Sequence, residues 1–128
     1  MIKPTIFVSS PYTHADPAIT EQRVRDVTAF VHNRLLAGEM AISPIVYGHS
    51  IVVLHELPGT YEFWESFCLS LLHPADKMYV LCLPGWDVST GMKGELEFAL
   101  EMQMEIEYVV PTSDAEVPYQ YSTEPPML

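Results

Sequence analysis

The sequence predicts an α/β protein of the Rossmann-like (flavodoxin-like) kind, a parallel sheet of four to five strands flanked by helices. Three observations lead there. Short apolar runs, "TIFVSS" (5–10), "MAISPI" (40–45), "KMYVLCLP" (77–84) and "IEYVV" (106–110), alternate with longer segments of helical spacing, the pattern of βαβ units. The third run is apolar almost throughout, as suits a central parallel strand covered on both faces. With 128 residues, 48% of them hydrophobic, the chain can bury one core and has little room for a second.

Each element has its own signal. The first run ends in Ser9, Ser10 and Pro11, a strand feeding a loop. Asp16-Pro17 then spells a helix start, with Asp16 as N-cap and Pro17 at the first helical position. Val24, Val27, Val31 and Leu35 recur at helical spacing, and Gly38 suits the C-terminal cap. The second strand stops at Pro44. Residues 46–59, with His49, His55, Pro58 and Gly59, are expected to form a loop with one helical turn at most. Thr60 caps a helix running to about Leu72, with Phe63, Phe67 and Leu71 on one face; Phe63, Trp64 and Phe67 read as core. The third long strand takes Cys82 into the interior. A helix from about Thr90 to Gln103 follows, burying Leu96, Ala99 and Leu100, and "IEYVV" completes the sheet. One domain is therefore expected over residues 1–110. The Pro-rich acidic tail, 111–128, is expected to be an arm or disordered.

Charge and composition exclude several classes of function. Six basic against seventeen acidic residues leave a net charge of −11, a field that repels a phosphate backbone, so no nucleic-acid partner is expected. A small anion would need local help from a helix N-terminus or a few cations. Two cysteines, Cys68 and Cys82, make neither a disulfide framework nor a metal cluster. His14, His32, His49, His55 and His73 have no HxH or HExxH spacing, so no metal is expected. The absence of GxGxxG and of a P-loop argues against a dinucleotide or triphosphate cofactor, and no cofactor is expected. "MIKPTIFVSS" lacks the apolar stretch of a signal peptide, and no run reaches membrane-spanning length. A cytoplasmic location without membrane contact is the expectation.

In such sheets ligands bind beyond the carboxyl ends of the strands, near the point where strand order reverses. "SSPYTH", "SPIVYGH" and "PGWDVSTG" would meet there, and Glu95 would stand at the rim of the crevice. Tyr12 and Trp86, in loops at that edge, are candidates for ligand contact. Ser89, Thr90 and Gly91 can be read as an anion site at a helix start, or Ser89 as a plain N-cap. Ser9 and Ser10 lack the glycines of a nucleophile elbow. Glu95 could be a solvated helix carboxylate favoured by the helix dipole. Yet Gly91 and Gly94 stand within the turn before it, and each weakens a helix interior by roughly 1 kcal/mol, which suggests that a ligand needs room there. Glu97 and Glu101 project elsewhere on the helix.

Taken in order, "FVSSPYTH", an Arg-bearing first helix, "GEMAISPI", "FW", "PADKMYVLCLPGW" and "STGMKGELEFA" resemble the nucleoside 2-deoxyribosyltransferase-like superfamily over residues 5–110. That superfamily includes the deoxynucleoside 5′-monophosphate N-glycosidases. The set looks most like a phage and bacterial branch of unassigned function. Ser-x-Gly-x-x-x-Glu, here Ser89, Gly91 and Glu95, is its most specific element. The resemblance implies that Glu95 is the nucleophile of an N-glycosidase or base transferase, attacking the anomeric carbon of a nucleoside or nucleotide as the base leaves. It implies that Ser89 and Gly91 hold a 5′-phosphate, which favours hydrolysis over base transfer. Ser10, Tyr12 and His14 would contact the sugar or phosphate. It also implies a homodimer or higher homo-oligomer, to which the aromatic residues of "FWESF" could contribute a face. One departure stands out: the aspartate usual in the helix after "FW" is here Cys68, and Glu65 lies one turn earlier. A catalytically silent nucleotide-binding module is the alternative.

Overall fold

Residues 1–127 are described by the computed structural model. Strand β1 (Thr5–Ser9) alternates its side chains between two cores, as a pleated strand must. Ile6 and Val8 join Tyr79, Leu81 and Val109 on one face of the sheet, while Phe7 joins Met78, Val80 and Tyr108 on the other. Helix α1 (Pro17–Leu36) covers the first face with Val27, Phe30 and Val31. Helices α3 (Tyr61–Leu72) and α4 (Thr90–Glu101) cover the second with Cys68, Leu72, Met92 and Ala99. The remaining elements are β2 (Met40–Ile42), α2 (Pro44–His55), β3 (Lys77–Leu81), a 3-10 turn at Trp86–Val88, β4 (Glu105–Pro111) and β5 (Tyr119–Ser122).

The sheet order is β2-β1-β3-β4-β5, the flavodoxin-like order, with parallel pairing from β2 through β4. The chain leaves β1 for β2 on one side and returns to β3 on the other, so the order reverses between β1 and β3. The fold is the Rossmann-like α/β architecture expected. Asp16 caps α1 by accepting the Ala18 N–H, Pro17 stands at its first turn, and Gly38 takes φ +87 just past its end. No helix among the described residues is long and apolar enough to cross a membrane.

Four details differ from the sequence expectation. Residues 44–55 form the helix α2 where a loop was expected. Pro44 does not only stop β2; it begins the helix at a position whose missing N–H goes unused, and the Ser43 hydroxyl accepts from Val46 N. The tail beyond Pro111 is not a loose arm. Its β5 pairs antiparallel with β4, and Tyr119 and Tyr121 pack on Phe30, with the Arg34 guanidinium over Tyr121. Strand β3 ends at Leu81, leaving Cys82 half-buried beyond it with its thiol on the Val80 carbonyl. Finally, the buried stripes are rotated from those expected. Phe63, Leu35 and Leu100 are exposed, whereas Met92, Glu95 and Ala99 form the inward line of α4 at i, i+3 and i+7.

Candidate functional site

A cavity of about 480 Å³ opens at the carboxyl end of β1, among the loops and helices that follow β1 and β2, α3 and the start of α4. Val8 and Ser10 contribute from β1 and its carboxyl end, α2 and the Tyr12 loop line one side, and α3 with residues 88–95 line the other. Its size suits a small metabolite.

Glu95 lies on this second side and is only 5% exposed. The register of α4 explains its burial: it shares the inward stripe with Met92 and Ala99, one turn to either side. The Ser9 hydroxyl, at the last residue of β1, donates to Glu95 Oε1 at 2.7 Å. Among the described residues, no Lys or Arg lines the cavity to balance the charge. Burial therefore pushes the carboxyl from near 4.5 up to about 7, while interactions from Ser9 and the Cys68 thiol pull the other way. Such a group holds its proton at mildly acid pH and releases it near neutrality. Cys68 faces the same carboxylate, and its own thiol is pushed up to about 12, first by burial and then by the Glu95 charge. It is an inert thiol at neutral pH.

The two glycines before Glu95 have a packing role that the sequence did not disclose. A Cβ on Gly91 would stand 2.8 Å from the Tyr61 ring, and one on Gly94 would stand 3.3 Å from it. The room they make is filled by a tyrosine rather than left for a ligand. Ser89 is the N-cap of α4, its hydroxyl oxygen accepting Met92 N, and its proton remains free to donate. Buried and without partners among the described residues are Ser10 Oγ and Tyr61 Oη, both on residues that line the cavity. Buried hydroxyls left unpaired in a concave site are suited to ligand contact.

On the side facing α2, Tyr12 Oη lies 2.7 Å from His49 Nδ1, and His49 Nε2 lies 2.9 Å from Glu21 of α1. Arg23 fixes the loop that carries Tyr12: its guanidinium donates to the Tyr12 and Thr13 carbonyls and to that of Pro84 across the crevice. The first and third loops are thereby tied together.

Of the residues singled out from sequence, the structure gathers Ser10, Tyr12, Ser89, Gly91 and Glu95 around one cavity. Two do not belong. His14 is exposed, its Nδ1 accepting the Asp16 N–H at the entry to α1. Trp86 packs edge-on against Tyr108 and joins the core under α4. Glu65 is exposed and away from the lining, so it does not replace the aspartate. Sequence reasoning missed Ser9, Glu21, His49 and Tyr61 as site residues. Only the Gly-x-x-Gly spacing hinted at Tyr61, since a ring lying across two turns needs both positions bare. No group of three or more His, Cys, Asp or Glu among the described residues could hold a metal ion.

Residues 4–110 match the family model described as Domain of unknown function (DUF1937), and the chain belongs to that family. No curated protein matches the chain significantly.

Proposed function

We propose that this DUF1937 protein cleaves the N-glycosidic bond of a nucleoside or nucleoside 5′-monophosphate, with Glu95 as nucleophile. The observation that carries the reading is a buried carboxylate with no cationic partner among the described residues, held by Ser9 against the wall of a metabolite-sized cavity at the carboxyl end of β1. As an anion, Glu95 can attack the anomeric carbon as the base departs, forming a glycosyl ester that water resolves. The resemblance to the nucleoside 2-deoxyribosyltransferase-like superfamily supports the same role for the same residue. Hydrolysis is preferred to base transfer because Ser89 and Gly91 match the phosphate-holding positions of the monophosphate hydrolases. The Ser89 hydroxyl proton and the first amides of α4 would supply that contact in a lining without Lys or Arg.

Cys68 favours a second reading, a nucleotide-binding module without turnover, since a thiol held near 12 is no substitute for an aspartate acid. Incubating the protein with a panel of nucleosides and 5′-monophosphates, and looking for free base by chromatography, separates the two. Base release that falls on the order of 10³-fold or more in Glu95→Gln supports the glycosidase. Saturable binding without base from any substrate supports the module, and near-native turnover of Glu95→Gln removes Glu95 from the mechanism.

A further inference from the structure

We infer that Tyr12, backed by His49 and Glu21, is the acid that protonates the departing base. The inference rests on the glycosidase reading and deepens it. A glycosidic nitrogen leaves poorly as an anion, so the base must gain a proton as the bond breaks. The position next to Glu95 where an acid would be expected holds Cys68, whose thiol is engaged with the Glu95 carboxylate itself. Glu65 is exposed and outside the lining. The remaining donors lie on the side of the cavity formed by the Tyr12 loop and α2.

Tyr12 and His49 both line the cavity, and Glu21 stands behind His49 on α1. Glu21 carboxylate oxygens only accept, so His49 Nε2 carries a proton toward them. In the neutral ring Nδ1 is then an acceptor, and the Tyr12 hydroxyl donates to it. When Nδ1 also carries a proton, it donates to Tyr12 Oη and turns the phenolic proton outward, toward the cavity. The pair thus presents a donor to a ligand when Nδ1 carries a proton, with Glu21 accepting from Nε2 behind it. Ser9, which holds Glu95, lies three residues before Tyr12. The two Cα atoms are therefore at most roughly 11 Å apart. Arg23 fixes the intervening loop by its bonds to the Tyr12 and Thr13 carbonyls.

The step balances. Glu95 carboxylate forms a bond to the anomeric carbon, the carbon–nitrogen bond breaks, and its electron pair stays on the base. The Tyr12 proton passes to a ring nitrogen or oxygen of the base, and the His49 Nδ1 proton passes to Tyr12 Oη. Water then replaces Glu95 on the anomeric carbon, and its surplus proton returns through Tyr12 to His49. Tyr12 is the catalytic residue of this relay; His49 and Glu21 position and recharge it.

The test compares two kinds of leaving group in Tyr12→Phe, His49→Gln and Glu21→Gln. One substrate is a natural nucleoside, whose base needs a proton; the other is a 4-nitrophenyl riboside, whose nitrophenolate does not. Tyr12→Phe and His49→Gln are expected to lose about 100-fold or more in kcat on the nucleoside and less than threefold on the nitrophenyl riboside. Glu21→Gln is expected to show the same selectivity with a smaller loss. Equal losses on both substrates in Tyr12→Phe and His49→Gln, with unchanged melting temperatures, overturn the relay and leave the glycosidase reading standing. Failure of the unaltered protein to release base from any nucleoside or 5′-monophosphate overturns the glycosidase reading, and the relay with it.

Discussion

Two clusters of half-buried and buried polar groups sit on the same sheet and are built on opposite rules. In the first, Glu39 accepts from Tyr79 Oη at 2.9 Å and pairs with Arg34 at 3.1 Å, while Lys77 bridges Glu105 and Glu107 beside it. Each carboxylate there has a cation within reach, and the Arg34 and Lys77 charges lie over the Tyr121 and Tyr79 rings. In the second, Glu95 is more deeply buried and is met only by a hydroxyl and a thiol. The first cluster pairs its carboxylates with cations and closes the tail onto the sheet. The second leaves a charge uncancelled beside a cavity, which is what a nucleophile requires and what stability alone would not select.

The contrast can be broken most forcefully through the pH dependence of activity. If Glu95 acts as an anion, kcat/KM should fall about tenfold per pH unit below a midpoint close to 7. A profile with no acid limb, activity only rising as Glu95 gains its proton, would make it a general acid instead. Titration of base release from pH 5 to 9 decides.

Stability gives the next largest effect, and the two clusters should respond with opposite signs. Because folding raises the Glu95 carboxyl above its ordinary value near 4.5, the folded protein holds that proton more firmly than the unfolded chain. The associated cost is absent below pH 4.5, grows as pH rises toward 7 and is complete above it, at roughly 3 kcal/mol. Glu95→Gln should therefore stabilise the protein by about 1–3 kcal/mol at pH 8 and by almost nothing at pH 4. Arg34→Ala should instead destabilise it by about 1–2 kcal/mol at pH 8 and leave base release unchanged. Chemical denaturation at the two pH values measures both. A destabilised Glu95→Gln at pH 8 would place Glu95 with the structural cluster.

The smallest effect on the single chain concerns assembly. Tyr47 stacks on Phe67, Phe67 meets Trp64 and Trp64 meets Phe63, an aromatic ridge across α2 and α3 whose ends, Tyr47 and Phe63, are exposed. A dimer through this ridge is expected at micromolar concentration by light scattering, and Tyr47→Lys with Phe63→Lys should dissociate it without unfolding the subunit. A monomeric unaltered protein would end that expectation.

Legibility from sequence followed the range of the interactions. Asp16-Pro17 and Ser89 announced their helices because capping is local chemistry, whereas Thr60 stands at the N-cap of α3 without a side-chain cap bond. Ser43-Pro44 carries the same signature as Asp16-Pro17, but the helix it opens is apolar nearly all round, and its histidines suggested a loop. The strand at Tyr119–Ser122 hid among prolines because it is stabilised by Phe30 and Arg34, some 90 residues away. Glu95 and Ser89 could be singled out by motif. Ser9, 86 residues from Glu95, could not, nor could the joining of Tyr12 to His49 and Glu21. Gly91 and Gly94 were noticed for the right reason, closeness of a neighbour, and assigned to the wrong neighbour.

The antiparallel return of β5 has a consequence for what the protein avoids. A doubly wound sheet normally offers two open borders, each a template on which a foreign strand can grow. Here β5 seals the β4 border and is itself only four residues long, between Pro118 and Pro125. The opposite border, β2, lasts three residues before Ser43-Pro44 turns the chain into a helix. Neither rim offers the length of free backbone that fibril-like stacking needs. Copies of this chain that meet at high concentration are thus steered away from ribbon-like polymerisation, and toward encounters between helices.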